Sequence, residues 1–145
     1  MIPECKSNSL LPPGIHRGSW GEFKQTFGDT PHRRKLLSGL RAAARNLKSA
    51  GCKRIFVNGS FVTAKEQPND FDALWDIEGV DPEKLDPVLL DFSERRAAQK
   101  RKYFGEFFPA QMVETGTGRL FLDFFQSDKE TGTPKGIVEI NLDKV

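Results

Sequence analysis

Apolar residues recur every three or four positions over residues 30–50, and this spacing predicts the longest helix of the chain. Thr30 is placed to cap the helix, Pro31 suits its first position, and Gly51 follows its end. The apolar positions would form one buried stripe, made of Leu36, Leu40, Ala43, Ala44 and Leu47.

The hydrophobic period shortens after Gly51, which indicates strands instead of a further long helix. Short runs of β-branched and aromatic residues predict four strands, at residues 53–58, 70–76, 119–126 and 137–142. Between the second and third of them, Asp86 as cap and Pro87 as first residue predict a helix that continues to about Tyr103.

Residues 1–29 are rich in Pro, Gly and Ser, and we expect them to form an N-terminal arm. The spacing of Trp20, Phe23 and Phe27 predicts a short helix on the surface of the domain. Residues 30–145 would be the core of a single domain spanning residues 1–145. Helices alternate with strands, which indicates an α+β (α/β layered) fold with a mixed sheet packed against helices.

Composition narrows the class of protein. The chain has 145 residues, 37% of them hydrophobic and twelve of them Phe, which is enough apolar surface for one core and excludes a disordered chain. No run approaches the roughly 20 apolar residues of a membrane span, and the N-terminus lacks the apolar segment of a signal peptide. Two cysteines are too few for a disulfide scaffold, so we expect a cytoplasmic protein with no membrane partner.

Charge is divided unevenly along the chain. Residues 1–67 carry twelve Lys and Arg against four Asp and Glu, whereas residues 68–145 carry ten against sixteen. A basic half beside an acidic half suits an anionic ligand held near a carboxylate-bound cation, although solvated helix faces explain the same distribution.

Three carboxylates stand out by position. Asp70 and Asp72 are two residues apart on a predicted strand, so both side chains would point to one face and repel each other. Asp123 lies between Leu122 and Phe124 on a run expected to be buried, where an unpaired carboxylate is costly. A divalent cation held by all three would remove both difficulties, and oxygen-only ligands favour Mg²⁺ or Mn²⁺.

A small-residue turn, Gly59-Ser60, follows the first predicted strand and precedes the carboxylates by ten residues. Such a turn exposes backbone N–H groups that can hold a phosphate, and serine adds a hydroxyl donor. A phosphate site beside metal-binding carboxylates is the combination of groups that catalyses phosphoryl or nucleotidyl transfer.

These residues, taken together, resemble a known signature. Asn58-Gly59-Ser60, then Asp70-Phe71-Asp72, then Leu122-Asp123-Phe124 is similar to the pattern of polymerase-β-like nucleotidyltransferases. The run GSFVTAKEQPNDFDALWD more closely resembles a group of small bacterial and phage proteins placed in that superfamily as a domain of unknown function. That second similarity covers most of the chain, whereas the superfamily signature covers residues 53–76 and about 119–126.

The resemblance implies a role for each matching residue. Gly59 and Ser60 would hold a nucleoside triphosphate, Asp70 and Asp72 would ligate Mg²⁺ or Mn²⁺, and Asp123 would ligate one metal and assist as general base. Many members carry an Arg soon after the Gly-Ser turn; this chain has none there, and Lys65 is assigned that triphosphate contact.

The implied activity is transfer of a nucleoside monophosphate from a nucleoside triphosphate to a hydroxyl on RNA, including tRNA, on a protein or on a small molecule. By analogy with small members of the superfamily, a partner protein of a toxin–antitoxin or phage-defence pair is also implied. The candidate contacts to a nucleic-acid acceptor are the basic residues Arg33, Arg34, Arg95, Arg96, Lys100 and Arg101.

Two alternatives remain open at this point. In the first, the fold is a catalytically degenerate nucleotidyltransferase that binds nucleic acid through those basic residues without a metal. In the second, the chain is a protein-binding subunit that docks through the aromatic residues of its arm.

Overall fold

A mixed sheet lies at the centre of the computed structural model, which describes residues 2–3, 5, 11–58, 60–62, 68–127 and 132–145. Within these residues the sheet has five strands in the order β1-β5-β2-β3-β4. The strands are β1 Gly14–Gly18, β2 Arg54–Asn58, β3 Asp72–Trp75, β4 Glu106–Pro109 and β5 Gly136–Asn141. The pairs β1·β5 and β3·β4 are parallel, and β2 is antiparallel to both of its neighbours.

The helices of the described residues are α1 Trp20–Phe27, α2 Pro31–Ser49, α3 Ser93–Tyr103 and α4 Phe121–Phe124. Short 3₁₀ turns occupy Ser60–Val62, Pro82–Lys84, Pro87–Leu90 and Leu142–Lys144. The helix predicted over 30–50 is confirmed. The Thr30 hydroxyl accepts a hydrogen bond from the Arg33 amide at 3.1 Å, and Pro31 is the first residue of the helix. The α+β class is confirmed with it.

Strand alternation divides the sheet side chains between two faces. On the α2 face, Ile55, Val57 and Ala73 pack against the buried stripe of α2 and against α1. On the α4 face, Phe56, Leu74, Phe108 and Ile137 pack against Phe125 and the rings of α4. The two faces therefore have separate cores, and the polar residues of the site lie on the α4 face.

Several sequence-based assignments need correction. Residues 1–29 are not only an arm, because β1 pairs with β5, and Phe23 and Phe27 of α1 are buried in the core. The helix expected from Asp86 to Tyr103 is instead a 3₁₀ turn at Pro87–Leu90 followed by the separate helix α3. The strand β4 was not predicted.

The strand predicted over residues 119–126 is wrong. Residues Phe121–Phe124 form helix α4, because Phe121 and Phe125 stand one helical turn apart and both pack against Phe108. Their ring centroids lie 4.8 and 5.1 Å from the ring of Phe108. The aromatic run Leu120–Phe125 has a helical spacing as well as a strand-like one, and the pocket beneath it selects the helix.

Helix α3 begins with a left-handed turn. Glu94, Arg95 and Arg96 have φ between 50° and 61°, and Phe104 ends the helix with φ 67°. Left-handed backbone costs roughly 1–2 kcal/mol for each residue that carries a Cβ. No other non-glycine residue of the described ranges has a positive φ, so the strained backbone is confined to both ends of α3.

The helices of the described residues lack the combination of length and hydrophobicity needed to cross a bilayer.

Candidate functional site

A row of three polar side chains crosses the α4 face at one end of the sheet. Asn58 on β2 is the register partner of Asp72 on β3, and Asp72 is the register partner of Glu106 on β4. Register partners on neighbouring strands point to the same face, so the three side chains are adjacent. We refer to Asn58, Asp72 and Glu106 as the carboxyl row.

The two acids of the carboxyl row contact each other, since the side chains of Asp72 and Glu106 are hydrogen-bonded. Two carboxyl groups in contact repel each other when both are ionised. A bound cation would remove that repulsion. Asp72 and Glu106 are thus two adjacent acids on one face of the sheet, which is the arrangement that was predicted for Asp70 and Asp72.

Two cations of α3 face the same acid. The Arg96 Nε and the Lys100 Nζ lie 3.2 and 3.1 Å from one oxygen of Glu106, whose side chain is 15% exposed. Burial raises the pKa of Glu106, but the hydrogen bonds with Asp72 and Lys100 and the positive charge of Arg96 and Lys100 outweigh burial and leave it below its usual value. Glu106 is therefore ionised at neutral pH.

Asn58 supplies an independent sign of an incomplete site. Its side chain is 1% exposed, and within the described part of the chain neither its amide oxygen nor its amide nitrogen has a hydrogen-bond partner. An unsatisfied buried amide costs on the order of 1–3 kcal/mol, so native proteins rarely keep one without a reason. A ligand beside Asp72 would give that amide a partner.

An aromatic cavity of about 450 Å³ adjoins the carboxyl row. Glu106 and Arg96 lie on its wall, and its apolar lining includes Phe92, Phe108 and Phe121. The Arg96 guanidinium lies 4.8 Å from the ring centroid of Phe108, a cation–π contact that joins the charged wall to the apolar one. A cavity of this size with a few charged groups at one end is typical of a small-molecule site.

Asp70 lies in the loop before β3, not on the strand, so the strand alternation used to pair it with Asp72 does not apply. It lines a second cavity of about 250 Å³ together with the basic residues His32, Lys35 and Lys100. Lys100 also contacts Glu106, so it connects this polar cavity to the carboxyl row.

Asp123 does not join the other two predicted carboxylates. It is exposed on α4, and across the described ranges no three His, Cys, Asp or Glu side chains are grouped as a metal site would require. Asp123 was expected to be buried on a strand, whereas it is exposed on a helix. Gly59 and Lys65, and the side chain of Ser60, lie outside the described residues.

The basic residues predicted to contact an acceptor are scattered. Arg33 is buried and donates to the carbonyl oxygen of Phe61 at 2.6 Å, so it ties α2 to the segment after β2. Arg96 and Lys100 belong to the candidate site, as described above. Arg34, Arg95 and Arg101 are exposed.

Sequence reasoning missed Glu106 and Asn58. The signal for Glu106 was an acid directly before the apolar run Phe107-Phe108-Pro109. Asp72 precedes Ala73-Leu74-Trp75 in the same way, but it was selected for its spacing from Asp70. Asn58 was quoted as part of a signature, but a single amide in a strand has no pattern that predicts a buried, unpartnered side chain.

Comparison with known proteins identifies the family. A family model described as a family of unknown function (DUF6932) matches residues 3–141. The chain belongs to this family. No curated protein and no solved structure matches it. Membership in DUF6932 assigns no activity to the chain.

Proposed function

We propose that this member of DUF6932 is a Mg²⁺-dependent nucleotidyltransferase that moves a nucleoside monophosphate from a nucleoside triphosphate to a hydroxyl group. The observation that carries the proposal is the carboxyl row, in which two contacting acids and an unpartnered buried amide lie side by side on three adjacent strands. The resemblance of Asn58-Gly59-Ser60 and Asp70-Phe71-Asp72 to the nucleotidyltransferase signature supports the same reaction.

The residues of the row fit a magnesium ion. Asp72 and Glu106 would hold it through carboxylate oxygens, and the amide oxygen of Asn58 is a further hard donor on the same face. Bound Mg²⁺ would neutralise phosphate charge and lower the pKa of an attacking hydroxyl. Glu106 on β4 takes the role that the resemblance gave to Asp123, the third carboxylate, which was expected on a separate strand.

The chain's own groups would perform the remaining tasks. Arg96 and Lys100 now neutralise Glu106, and they are placed to bind phosphate oxygens when a cation takes over that carboxylate. The oxygen of the acceptor hydroxyl would bond to the α-phosphorus while the bond from that phosphorus to pyrophosphate breaks, and pyrophosphate would leave. The carboxylate oxygen of Asp72 that does not hold the cation would accept the hydroxyl proton. The aromatic cavity would hold the planar or apolar part of a substrate and exclude water from the reacting groups.

Label transfer tests the proposal. Purified protein, Mg²⁺ and each of four α-labelled nucleoside triphosphates are incubated with total RNA or cell extract as acceptor. We expect labelled product with the wild type, and at least a 100-fold loss with Asp72→Asn or Glu106→Gln, since each removes a metal-binding oxygen.

Asp123→Asn is the matched control, because it makes the same chemical change at an exposed helix position. It should retain activity. Transfer by Asp72→Asn at the wild-type rate would refute the proposed role of the row. Loss of activity in Asp123→Asn alone would restore the original assignment of that residue.

A further inference from the structure

The two N-terminal helices carry an unbalanced charge. Residues 20–49 contain seven Lys and Arg against two acids, Glu22 and Asp29, and α2 itself has no acidic residue. Solvated helix faces usually mix both signs, because opposite charges one turn apart stabilise a helix. A helix of 19 residues with only positive charges departs from that rule.

Four of these cations form one stripe. Arg34, Arg41, Arg45 and Lys48 are separated by seven, four and three residues, so they lie on one side of α2, and all four are exposed. The stripe is about 21 Å long at a helical rise of about 1.5 Å per residue. The buried positions of α2 lie on the opposite side, against the sheet.

The charge of the stripe is not neutralised within the described residues. Arg41 and Arg45 have no ion pair there. Arg34 donates to the carbonyl oxygen of Gly28 at 3.3 Å and Lys48 to that of Asp143 at 2.7 Å, and neither acceptor is a carboxylate. The stripe therefore presents positive charge to an external anion.

An aromatic side chain lies beside these cations. Trp20 of α1 lines a groove of about 410 Å³ between α1 and α2, together with Lys24, Arg34, Arg41, Arg45 and the apolar Leu37. Basic side chains that follow a backbone next to an aromatic ring on which bases can stack are typical of sites for single-stranded nucleic acid.

We propose that this basic groove binds single-stranded nucleic acid, with phosphates along the stripe of α2 and a base against Trp20. A single strand is favoured over a duplex, because the bases of a duplex are stacked on one another and cannot stack on Trp20. The groove lies on the outer side of the helix that covers the α2 face, whereas the carboxyl row lies on the α4 face. This binding function therefore does not depend on the proposed transfer reaction.

Fluorescence anisotropy with labelled 12-nucleotide single-stranded RNA and DNA tests the proposal over a range of salt concentrations. Four phosphate contacts give a slope of log K against log salt of about −3, from roughly 0.7 per contact on a single strand. We expect the double variant Arg41→Gln with Arg45→Gln to bind about tenfold more weakly and to lower the slope by about 1.4. The two probes decide whether the groove prefers RNA or DNA.

The matched control is Lys84→Gln with Arg119→Gln, which removes the same net charge from two exposed positions away from α1 and α2. It should leave affinity and slope at their wild-type values. A second variant, Trp20→Leu, should weaken binding at least fivefold with little change in slope, because a stacking contact carries no charge. Circular dichroism verifies that each variant is folded.

Equal weakening in the matched control would overturn the proposal, since binding would then follow net charge alone. Binding to anionic lipid vesicles without binding to either oligonucleotide would overturn it as well. Asp72→Asn should bind both oligonucleotides like the wild type, so a failed transfer reaction and a failed nucleic-acid site give different results.

Discussion

Two polar clusters lie on the α4 face of the same sheet, and they differ in how many of their polar groups have hydrogen-bond or ion-pair partners within the chain. The carboxyl row stands at one end of β3, and Asp76 follows the other end. The apolar row of Phe56, Leu74 and Phe108 separates them. We refer to Asp76 with Arg17, Arg54, Gln111 and Glu139 as the Asp76 cluster.

Asp76 has partners on every side. Its carboxylate accepts hydrogen bonds from Arg54 Nε at 2.9 Å, from Gln111 Nε2 at 2.7 Å and from the Glu78 amide at 3.0 Å. Burial raises its pKa, but these hydrogen bonds and the charge of Arg54 outweigh burial and hold the pKa below the usual value. Arg54 also pairs with Glu139 at 3.2 Å. The cluster therefore needs nothing from outside the chain.

The carboxyl row, in contrast, contains polar groups that lack hydrogen-bond partners among the described residues. Its two acids lie side by side, and the amide of Asn58 has no partner in the described part of the chain. The strained turn Glu94–Arg96 is also at this end of the sheet, and its last residue, Arg96, is a cation that pairs with Glu106. Buried polar groups that are fully paired hold a fold together, whereas incomplete and strained ones mark the place where a ligand completes the structure.

The largest difference should appear in stability. Asp76→Asn should lower the free energy of unfolding by about 2 kcal/mol, because it removes a buried charge to which Arg54 and Gln111 donate. Asp72→Asn should change it by less than about 0.5 kcal/mol or raise it, since it removes one of two adjacent acids. Urea denaturation measures both. Equal destabilisation by the two variants would contradict the conclusion that the Asp76 cluster is fully paired and the carboxyl row is not.

Asn58→Leu should stabilise the protein by about 1 kcal/mol, because it replaces an unpartnered buried amide with an apolar group of similar size. The control is Asn46→Leu, in which the lost amide oxygen accepts a hydrogen bond from the Asp86 amide at 2.7 Å. That variant should lose about 1 kcal/mol. Destabilisation of similar size in both would mean that Asn58 has a partner after all.

The loss of unfolding free energy at acidic pH should depend on Glu106. Its folded pKa lies below the unfolded value of about 4.5, so its interactions stabilise the fold above pH 4.5 and are lost as the pH falls through the folded pKa. We expect Glu106→Gln to lose less stability than the wild type between pH 5 and pH 3. Thermal unfolding across this range measures the effect, and parallel curves for the two proteins would contradict it.

The smallest effect concerns the left-handed turn. Arg95→Gly should raise the free energy of unfolding by about 0.5–1 kcal/mol, because glycine adopts positive φ without steric cost. Arg101→Gly, at an exposed right-handed position of the same helix, should lower it by about 1 kcal/mol. Chemical denaturation compares the two, and a loss of stability in both would show that the turn is not strained.

The sequence predicted those helices and strands whose ends carry capping residues or turn residues. Helix α2 has Thr30 as cap and Pro31 as first residue, and the strands β2 and β5 are β-rich runs bounded by turns, so all three were found within two residues of their ends. Helix α4 was mistaken for a strand, because the sequence does not record that Phe108 lies beneath Phe121 and Phe125.

The candidate site was predicted in part for the same reason. Asp72 follows a local pattern and was found, but its partner Glu106 lies 34 residues away and meets it only through the pairing of β3 with β4. The unpartnered amide of Asn58 is likewise a property of packing and not of any motif. Sequence therefore predicted one acid of the pair, and the sheet register supplied the other.

Binding of Mn²⁺, a paramagnetic substitute for Mg²⁺, tests most directly whether the carboxyl row is a ligand site. Titration of the protein into Mn²⁺ at pH 7, followed by electron paramagnetic resonance of the free ion, measures the affinity without any substrate. We expect the wild type and Asp123→Asn to bind one ion with similar affinity, and Asp72→Asn and Glu106→Gln to bind at least tenfold more weakly. Wild-type affinity in both row variants, or no binding by the wild type, would contradict the assignment.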